Sequence, residues 1–553
     1  MSKCRELSKL PNYVLSTVAE LKLAVGKEQG DKAFIGGYYA DGDGGGGDFY
    51  WDTVSVEADN GGTIFQVTGT TTGRWKRIYS GSVSVKWFGA KGDWNGTTGT
   101  DDTSAFQNAI NSLGAKGGVI MYDGKHLMDS ALTINKSIAI KGSYIMPGVA
   151  TSNAIANYAD MSALIINPLI TISVAGGAGL DGCLLYRKAM VFPSLDSSLF
   201  SGVPITFIGD DCFVTRSMIL GFTQAIYSNG KQRPRVLDVY LDNTNGVHIN
   251  ACYDIAYISR VHSWPFATIG ALGNAASLQR AGTAIHFSNG GDWNKITDCF
   301  SYAYSRGIHI EACNSVTVQG CGADSTGGFA GQIGFMVTGN SEDTRLINCQ
   351  SAAQEAGYYI STADGVQTRM TGCDSWACTP HGVLVDVAGD VKIQGGIHRN
   401  TGNAITLNNT LSKVYVNGIR TKAISSAIFN ITVATTGLTI GEDNDYGDWS
   451  NGASITNNST HVIQSIASAD PLNLQATGDS FIVSGATSFG TLNGGWKDRA
   501  VTFYFSGILS IFSSTGSSKA IRLNNSVAFT SAVGSTLTLR HNGVQWYEVG
   551  RSV

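Results

Sequence analysis

A short phrase recurs in the middle of this chain, and it consists of a small residue followed by alternating apolar residues. The first two copies of the phrase are far apart because of an insert after Trp264, and the later copies start 25, 27, 23, 25 and 21 residues apart. A period in the twenties with strand-like units is typical of a stacked solenoid, because no unit can bury its apolar face without neighbours. The seven copies start at Gly246, Gly282, Gly307, Gly334, Gly357, Gly382 and Asn403.

A second feature follows each small residue by 13 to 16 positions. It is a residue that tolerates positive φ, followed by a small residue that can be buried, and it predicts one sharp bend per coil. Helical and leucine-rich repeats need apolar spacing of three to four residues, whereas these segments alternate with period 2. The sequence therefore predicts an all-β fold, a right-handed parallel β-helix. The pairs are Asp298-Cys299, Gly320-Cys321, Asn348-Cys349, Gly372-Cys373 and Gly395-Gly396.

Composition agrees with this fold and excludes several classes of partner. Glycine supplies 69 of 553 residues and charged residues only 14%, which is typical of many short strands and tight turns. A net charge of -4 gives no basic field for a nucleic acid. The best apolar run, Ala163 to Ile172, is short and interrupted by Pro168, so no membrane insertion is expected. Residues 1–30 lack the apolar stretch of a signal peptide, which argues against Sec export.

Four of the ten cysteines occupy one column of the repeat, directly after the bend. Neighbouring coils lie about 4.8 Å apart, so a disulfide is possible in principle, but stacked free thiols pack without strain. We predict free thiols and synthesis in a reducing compartment. No CxxC pair suggests zinc or redox chemistry, and neither a cofactor nor a metal site is predicted.

The chain divides by composition into four predicted segments. Residues 1–82 form an N-terminal head or neck region, and residues 83–450 form the β-helix. Residues 451–470 are rich in Ser, Thr and Asn and are predicted to be a linker. Residues 471–553 alternate between strands and turns and predict a C-terminal antiparallel β-sandwich for trimerisation or carbohydrate binding. Near the start of the β-helix, Asp101 or Asp102 is a good N-cap for a short helix that covers the open end of the solenoid.

Aromatic residues and carboxylates are predicted to share one outer face of the β-helix. With each column cysteine pointing inward, the residues one and three positions later point outward. Exposed aromatic rings suit the apolar faces of sugars, and the alternative is that they meet another subunit of a trimer. Predicted substrate-binding residues are His262, Trp264, Tyr302 and Trp376 on this face, Arg306 for an acidic sugar, and Asp292 near the insert.

Glycoside hydrolysis needs two carboxyl groups that flank the scissile bond. Asp324 and Asp374 lie two coils apart, so we expect their Cα atoms to be about 10–12 Å apart, and their side chains to reach the separation of an inverting enzyme. Glu355 falls in the turn of the coil between them. The catalytic pair is expected among these three residues, with Glu355 or Asp374 as the acid. The alternative is that each is a solvated turn carboxylate.

Several phrases of the chain resemble the β-helix of the pectate-lyase-like superfamily found in bacteriophage tailspike proteins. The resemblance covers about residues 80–450 plus the tail of the chain. The phrases are Val85-Lys-Trp-Phe-Gly-Ala-Lys-Gly-Asp93, Asp101-Asp-Thr-Ser-Ala-Phe-Gln-Asn-Ala-Ile110, the Gly-Gly strand at Gly117, Arg260-Val-His-Ser-Trp-Pro-Phe266 and the closing Trp546-Tyr-Glu-Val-Gly-Arg551.

The resemblance implies a homotrimer in the virion tail, made in the host cytoplasm and acting outside the bacterial cell. Its N-terminal region would attach to the phage baseplate or to another tailspike. The favoured function is a depolymerase that hydrolyses a bacterial surface polysaccharide, either capsule or O-antigen. Two alternatives stay open, a lectin-like fibre that binds without cutting and a polysaccharide lyase. The superfamily includes lyases, hydrolases and binding proteins, so the fold does not choose between them.

Overall fold

A computed structural model gives the fold of this chain, which divides into two compact units, Met1–Ser459 and Thr460–Val553. It describes residues 12–552 except 116, 136, 144–160, 191–196, 269–277, 326–329, 388, 400, 410–412, 433–437, 442, 447–453, 457–463, 475–478 and 517–518. No helix in the described part of the chain is long and apolar enough to cross a membrane.

The first unit is dominated by a parallel β-solenoid with three strand columns, which we call walls 1, 2 and 3 in the order in which the chain visits them. The predicted parallel β-helix is confirmed. Two long strands, Arg235–Asp242 and Tyr257–Ser263, pass through the bend and serve both wall 1 and wall 2. Among the described residues, wall 3 contains thirteen strands.

The remaining strands of wall 1 are Gly118–Met121, Ile138–Lys141, Gly179–Asp181, Phe213–Thr215, Lys295–Thr297, Thr317–Gln319, Thr344–Ile347, Gln367–Thr371, Asp390–Gln394, Lys413–Asn417 and Leu438–Ile440, with Val83–Ser84 paired to the first. Those of wall 2 are Lys125–Met128, Ala163–Ile166, Leu184–Arg187, Met218–Leu220, Phe300–Tyr302, Gly322–Asp324, Gln350–Ala352, Asp374–Trp376, Ile397–Arg399, Arg420–Lys422 and Asp445–Tyr446. Those of wall 3 are Leu132–Ile134, Ile172–Val174, Ile205–Phe207, Gln224–Asn229, Asn245–Asn250, Arg280–Ser288, Tyr304–Glu311, Ile333–Gly339, Ala356–Thr362, His381–Val387, Asn403–Leu407, Ala427–Ile431 and Ser454–Thr456.

The repeated phrase forms the start of the wall 3 strands, and its small residue has a steric reason. A Cβ atom added at Gly334 would lie 2.7 Å from the carbonyl oxygen of Gly357, and one at Gly357 would lie 2.6 Å from that of Gly382. Glycine allows the next coil to approach this closely at these two positions, whereas Ala284 and Ala404 take the same register position on other coils. The following apolar residues align in one inward column, in which the rings of Phe335 and Tyr358 stack with centroids 5.1 Å apart.

The bends between wall 1 and wall 2 lie where the sequence predicts them. Asp298, Gly320, Asn348, Gly372 and Gly395 have φ of 54°, 63°, 50°, 63° and 67°. The cysteine after each of the first four bends is buried and free, and the backbone amide of Cys299 lies 3.4 Å from the sulfur of Cys321. All nine described cysteines are free and buried, which confirms the predicted thiol column; Cys4 lies outside the described residues.

A short helix, Thr103–Ser112, lies near the first coils, with Asp102 at its N-cap. Its buried residues Phe106 and Ile110 belong to the same apolar cluster that runs through the solenoid from Val83 to Phe429. The Asp102 carboxylate does not cap the helix. It accepts the backbone amides of Lys91 and Gly92 and bonds His126 at 2.8 Å.

Ahead of the solenoid lies a five-stranded sheet with its own aromatic core, which includes Phe49, Trp51, Phe65 and Trp75. Its first strand pair is parallel and the others are antiparallel. The single helix described in this part of the chain is Val18–Leu21. In sheet order the strands are Tyr13–Leu15, Lys32–Ile35, Gly47–Asp52, Arg74–Arg77 and Ile64–Gln66.

The second unit corrects the prediction of a purely antiparallel sandwich. Its six-stranded sheet is mixed, because Gln464–Ala467, Ser480–Ser484 and Ala500–Phe505 pair in parallel, whereas Thr536–His541 is antiparallel to both neighbours. Alternation with period 2 predicts strands but is the same for both pairing directions. The other strands of this unit are Leu472–Asn473, Leu492–Asn493, Ser510–Ile511, Ile521–Arg522, Phe529–Thr530 and Trp546–Ser552.

Part of the predicted linker 451–470 is strand. Ser454–Thr456 is the last strand of wall 3, and Gln464–Ala467 opens the sheet of the second unit. Residues 451–453 and 457–463 lie outside the described residues.

The bend column predicts a position-specific effect on stability. Gly320→Val places a β-branched residue at φ 63°, with its Cβ 2.7 Å from Asp298 Oδ1, and should lower the free energy of unfolding by about 1–3 kcal/mol. Asn348→Gly, at the same height one coil later, should change it by less than about 0.5 kcal/mol. Thermal and denaturant unfolding of both variants measure the difference. Equal losses in the two variants would show that the bend geometry is not the cause.

Candidate functional site

The outward side chains of wall 2 form two columns along the solenoid. Strand register places His262, Phe300, Gly322, Gln350 and Asp374 in the first column. The second column, two residues further along each strand, contains Trp264, Tyr302, Asp324, Ala352, Trp376 and Arg399. The residue between the two columns points inward and is buried in each strand. This is the alternation that the sequence predicts.

An open groove of about 580 Å³ crosses wall 2 where the first column has no side chain. Gly322 lies between Phe300 on the preceding coil and Gln350 on the next. A Cβ atom at Gly322 would lie 2.8 Å from the Phe300 ring, so this glycine leaves space for the ring and for the groove beside it. Asp324 and Trp376 line the same groove.

Aromatic rings cluster at one end of the groove. The centroids of Trp264 and Tyr302 lie 4.4 Å apart, and His262 contacts Phe300 edge-on at 5.3 Å. Phe266, from the insert that follows wall 2, packs against His262 at 5.4 Å. The predicted substrate-binding residues His262, Trp264 and Tyr302 are therefore half-buried by neighbouring rings, and less exposed than isolated rings would be.

The other end of the groove is more open. Trp376 is 49% exposed, and the guanidinium carbon of Arg399 on the next coil lies 5.2 Å from the centre of a Trp376 ring. A cation above an aromatic face is attracted by its quadrupole. Trp376 and Arg399 together present a flat apolar surface next to a positive charge, which suits a sugar that carries an anionic group.

Asp324 ends its wall 2 strand at the corner where the chain turns towards wall 3. Its Oδ1 accepts the backbone amide of Ser325 at 2.7 Å. Burial raises the pKa of the Asp324 carboxyl above its usual value, and the hydrogen bond from Ser325 only partly opposes this. Burial therefore favours the protonated form of Asp324.

Glu355 lies at the same corner on the next coil, directly before the wall 3 strand Ala356–Thr362. Its Oε2 accepts the backbone amide of Gly331, and its own amide donates to the carbonyl of Gln332 at 3.0 Å. The side chain is thus anchored to the turn that follows Asp324. Residues 326–329 of that turn lie outside the described residues.

Asp374 begins its wall 2 strand, in the first column, whereas Asp324 is in the second. Its Oδ1 accepts the backbone amide of Ile397 at 2.7 Å, which directs the carboxylate to the next coil, away from Asp324. The offset between the columns adds about two residues of strand to the two-coil separation, so the Cα atoms lie at the long end of the expected 10–12 Å. Glu355 therefore lies one coil from Asp324, and Asp374 lies two coils from it.

Two predicted substrate-binding residues lie away from wall 2. Arg306 is the third residue of the wall 3 strand Tyr304–Glu311, and its Nε donates to the Met336 sulfur at 3.2 Å. Asp292 lies in the turn that leads from wall 3 to wall 1, where its backbone forms an isolated parallel β-bridge with Asn314. The sequence gives Gly322 and Gln350 no role in this groove, and it does not predict that Arg399 stacks on Trp376. Alignment of consecutive coils at the bend would have found all three residues.

Comparison with known proteins links the start of the chain to phage tails. Residues 14–80 match the family model described as the phage tail protein small four-stranded beta-sheet domain. The chain is also 32% identical over 127 residues to the Mu-like prophage FluMu defective tail fiber protein of Haemophilus influenzae. That alignment covers 23% of this chain and only 19% of the length of that relative.

Similar solved structures include tailspikes and a glucanase domain. Tailspike protein gp49 of Acinetobacter baumannii bacteriophage Fri1, described as a capsular polysaccharide depolymerase, is 14% identical with a TM-score of 0.42 over 79% of this chain and 76% of its own. The gp42 tailspike of Acinetobacter phage vb_AbaP_AS12 is 13% identical, with a TM-score of 0.48 over 98% and 94%. The catalytic domain of a GH87 alpha-1,3-glucanase with nigerose is 10% identical, with a TM-score of 0.45 over 69% and 74%. At these values the likeness is one of fold and assigns no activity to this chain.

The raised pKa of Asp324 predicts a pH-dependent effect on stability. The folded chain binds this proton more tightly than the unfolded chain does, so stability falls as the pH rises above about 3.8 through the folded pKa. Asp324→Asn removes the buried charge and should raise the thermal unfolding midpoint near pH 7. At about pH 3, where the carboxyl is protonated in both states, the difference should vanish.

The control for this effect is Asp364→Asn, which removes a carboxylate that is 64% exposed. This variant should show no such gain at neutral pH. A gain in Asp324→Asn that is equal at both pH values would mean that burial of the charge is not its cause.

Proposed function

We propose that this chain is a phage tailspike depolymerase that binds and hydrolyses a bacterial surface polysaccharide, either capsule or O-antigen. The observation that carries the proposal is Asp324, a carboxyl with a raised pKa at the edge of an open, aromatic-lined groove. Glycosidic bond cleavage requires an acid with a raised pKa and a second carboxyl group beside the bound sugar, and a ring-lined surface suits that sugar.

A location in the virion tail is supported by the start of the chain. The segment 14–80 is similar to a phage tail domain, and it folds as the separate sheet ahead of the solenoid. We infer that this region, within the predicted head or neck of residues 1–82, attaches the protein to the baseplate or to another tail component. A homotrimer is part of the proposal, because solenoids that stand side by side would shelter part of their outer faces.

The catalytic roles follow from the two carboxyls at the corner between walls 2 and 3. Asp324, whose pKa is raised by burial, donates a proton to the leaving glycosidic oxygen. Glu355, oriented by the Gly331 amide on the adjacent coil, acts as base or nucleophile on the opposite side of the sugar. This changes the acid from Glu355 or Asp374, which the sequence favours, to Asp324. Asp374 then contacts substrate further along the groove.

The aromatic side chains supply most of the binding surface. Phe300 and Tyr302 lie on the coil before Asp324, and Trp376 lies two coils after it. A chain that runs along the solenoid axis crosses these rings and passes the carboxyl pair between them. Arg399 extends the surface with a positive charge, so an acidic sugar would fit at that end.

Replacing the proposed acid or base should reduce turnover without loss of folding. Asp324→Asn and Glu355→Gln are each expected to lower kcat on a susceptible polysaccharide by about 10²–10⁴-fold, since proton transfer is removed from the transition state. New reducing ends released from candidate host polysaccharides measure the rate. Asp364→Asn, remote from the groove on an exposed turn, is the matched control and should keep the wild-type rate.

The same assay separates the proposal from its alternatives. Wild-type turnover in both catalytic variants would refute these roles. Products that absorb in the ultraviolet as unsaturated uronates would show a lyase. Tight binding by the wild-type protein without any new chain ends from the bound polysaccharide would show a lectin-like fibre.

The aromatic surface gives a separate prediction for binding. Trp376→Ala should raise the Kd for a bound oligosaccharide by about 2–10-fold, the range expected for the loss of one aromatic stacking contact. Trp293, which is 54% exposed in the turn before wall 1, provides the control, and Trp293→Ala should bind as the wild type does. Titration calorimetry with an inactive variant measures both. Equal affinity for all three proteins would place the sugar elsewhere.

A further inference from the structure

Wall 3 carries a column of stacked histidines on a face distinct from the groove of wall 2. His248, His286 and His309 occupy register-matched positions on three successive coils. The ring centroids lie 4.4 Å apart in the first pair and 4.6 Å in the second, with interplanar angles of 15° and 1°. The alternation of wall 3 requires an outward residue at this register position on each coil. Any apolar or aromatic side chain could stack there, so stacking alone does not require histidine. The imidazoles bring nitrogen ligands to the surface.

A carboxylate lies beside two of these rings. Glu311 follows His309 by two residues on the same strand, and its Oε2 lies 3.0 Å from His286 Nε2. One nitrogen from each of His286 and His309 and one oxygen of Glu311 all lie within 4.8 Å of one another. Two imidazoles and one carboxylate are a common ligand set for zinc and similar ions.

The hydrogen bonds around the site resemble the outer shell of metal-binding histidines. His309 Nε2 lies 2.8 Å from the hydroxyl of Thr338 on the next coil. A ring that donates from Nε2 carries its lone pair on Nδ1, and such a second partner fixes the tautomer and the ring plane. His248 lies on the other side of His286 and bonds Ser288 at 2.9 Å.

We propose that His286, His309 and Glu311 bind one divalent transition-metal ion of the zinc class per chain. Ligand atoms around a tetrahedral zinc ion lie about 3.3 Å apart, so ligand atoms that are up to 4.8 Å apart must close by about 1.5 Å. Because the His286 and His309 rings lie in nearly parallel planes, one ring must also turn before both lone pairs can point at one ion. Side-chain torsions can supply this, since Glu311 is 47% exposed and His286 20% exposed. Three protein ligands leave a coordination position open to solvent. The ion would link two adjacent coils, and the site is independent of the groove on wall 2.

The sequence predicts no metal site, and the reason is instructive. The ligands belong to the repeated phrase itself, in Gly282-Thr-Ala-Ile-His-Phe and Gly307-Ile-His-Ile-Glu, where they occupy positions that the repeat assigns to an ordinary outward face. His286 and His309 are 23 residues apart in the sequence, which matches no compact ligand motif. They become neighbours in space only because their coils stack.

Titration calorimetry of the full chain with zinc chloride tests the proposal. The wild-type protein should bind one zinc ion per chain, and magnesium should not bind, because a hard cation prefers an all-oxygen shell. His286→Gln, His309→Gln and Glu311→Gln should each weaken zinc binding at least about ten-fold. His248→Gln changes the same stack outside the ligand set and should stay within about three-fold of the wild-type Kd.

A second measurement protects the test against misfolding of the histidine variants. Glu311→Gln is nearly isosteric on a half-exposed side chain, so its fold should be kept, and zinc should raise the thermal unfolding midpoint of the wild type but not of this variant. The proposal is overturned if the wild-type chain binds no zinc, or if the three ligand variants bind zinc as the wild type does. An equal loss in His248→Gln would also overturn it, because the stack and not the triad would then be the site.

Discussion

The architecture depends on how closely successive coils approach along wall 3. A side chain at Gly334 or Gly357 would collide with the carbonyl of the next coil, so the glycines allow the parallel ladder to close at about 4.8 Å per coil. Once that spacing is set, every inward residue stacks on its counterpart, as Phe335 does on Tyr358, and every outward residue joins a column. The functional faces are consequences of this contact, because residues more than twenty positions apart become neighbours only through it.

The sequence predicts those parts of the fold in which residue type and backbone geometry are tightly linked. Asp298 and Asn348 tolerate positive φ, so their column identified the first bend. The second bend, between walls 2 and 3, uses Ala303, Ala353 and Ala377 at φ of 60°, 53° and 53°. Alanine is not enriched in that conformation, so nothing in the sequence marked this bend. Neighbouring coils determine it, because each of these amides donates to a carbonyl at the end of the next wall 2 strand.

The sequence predicts which residues of the candidate site point outward, but not how their side chains are oriented. Alternation after the thiol column places Asp324, Trp264 and Trp376 outward, and the structure agrees. Side-chain direction depends on local amides and on packing that a repeat pattern does not encode. Asp374 turns to the Ile397 amide on the next coil, and Trp264 is half-buried by rings from its own insert and from the next coil. Asp324 stands out because burial raises its pKa, a property that spacing cannot indicate.

A carboxyl that is destabilising in its charged form requires support from its surroundings, and a solenoid provides that support from adjacent coils. The stability of such a fold is approximately a sum of coil and neighbour contributions, so a local cost at Asp324 is offset nearby without change elsewhere. Beneath this region, the buried Tyr358 hydroxyl lies 2.7 Å from the carbonyl of Cys349 and 2.9 Å from that of Asp374, which ties two wall 2 strands to the core. The buried free thiols of Cys349, Cys373 and Cys378 lie close to it. The rigid interior thus holds the outer groove in place, and Asp324 lies where coil stacking is continuous on both sides.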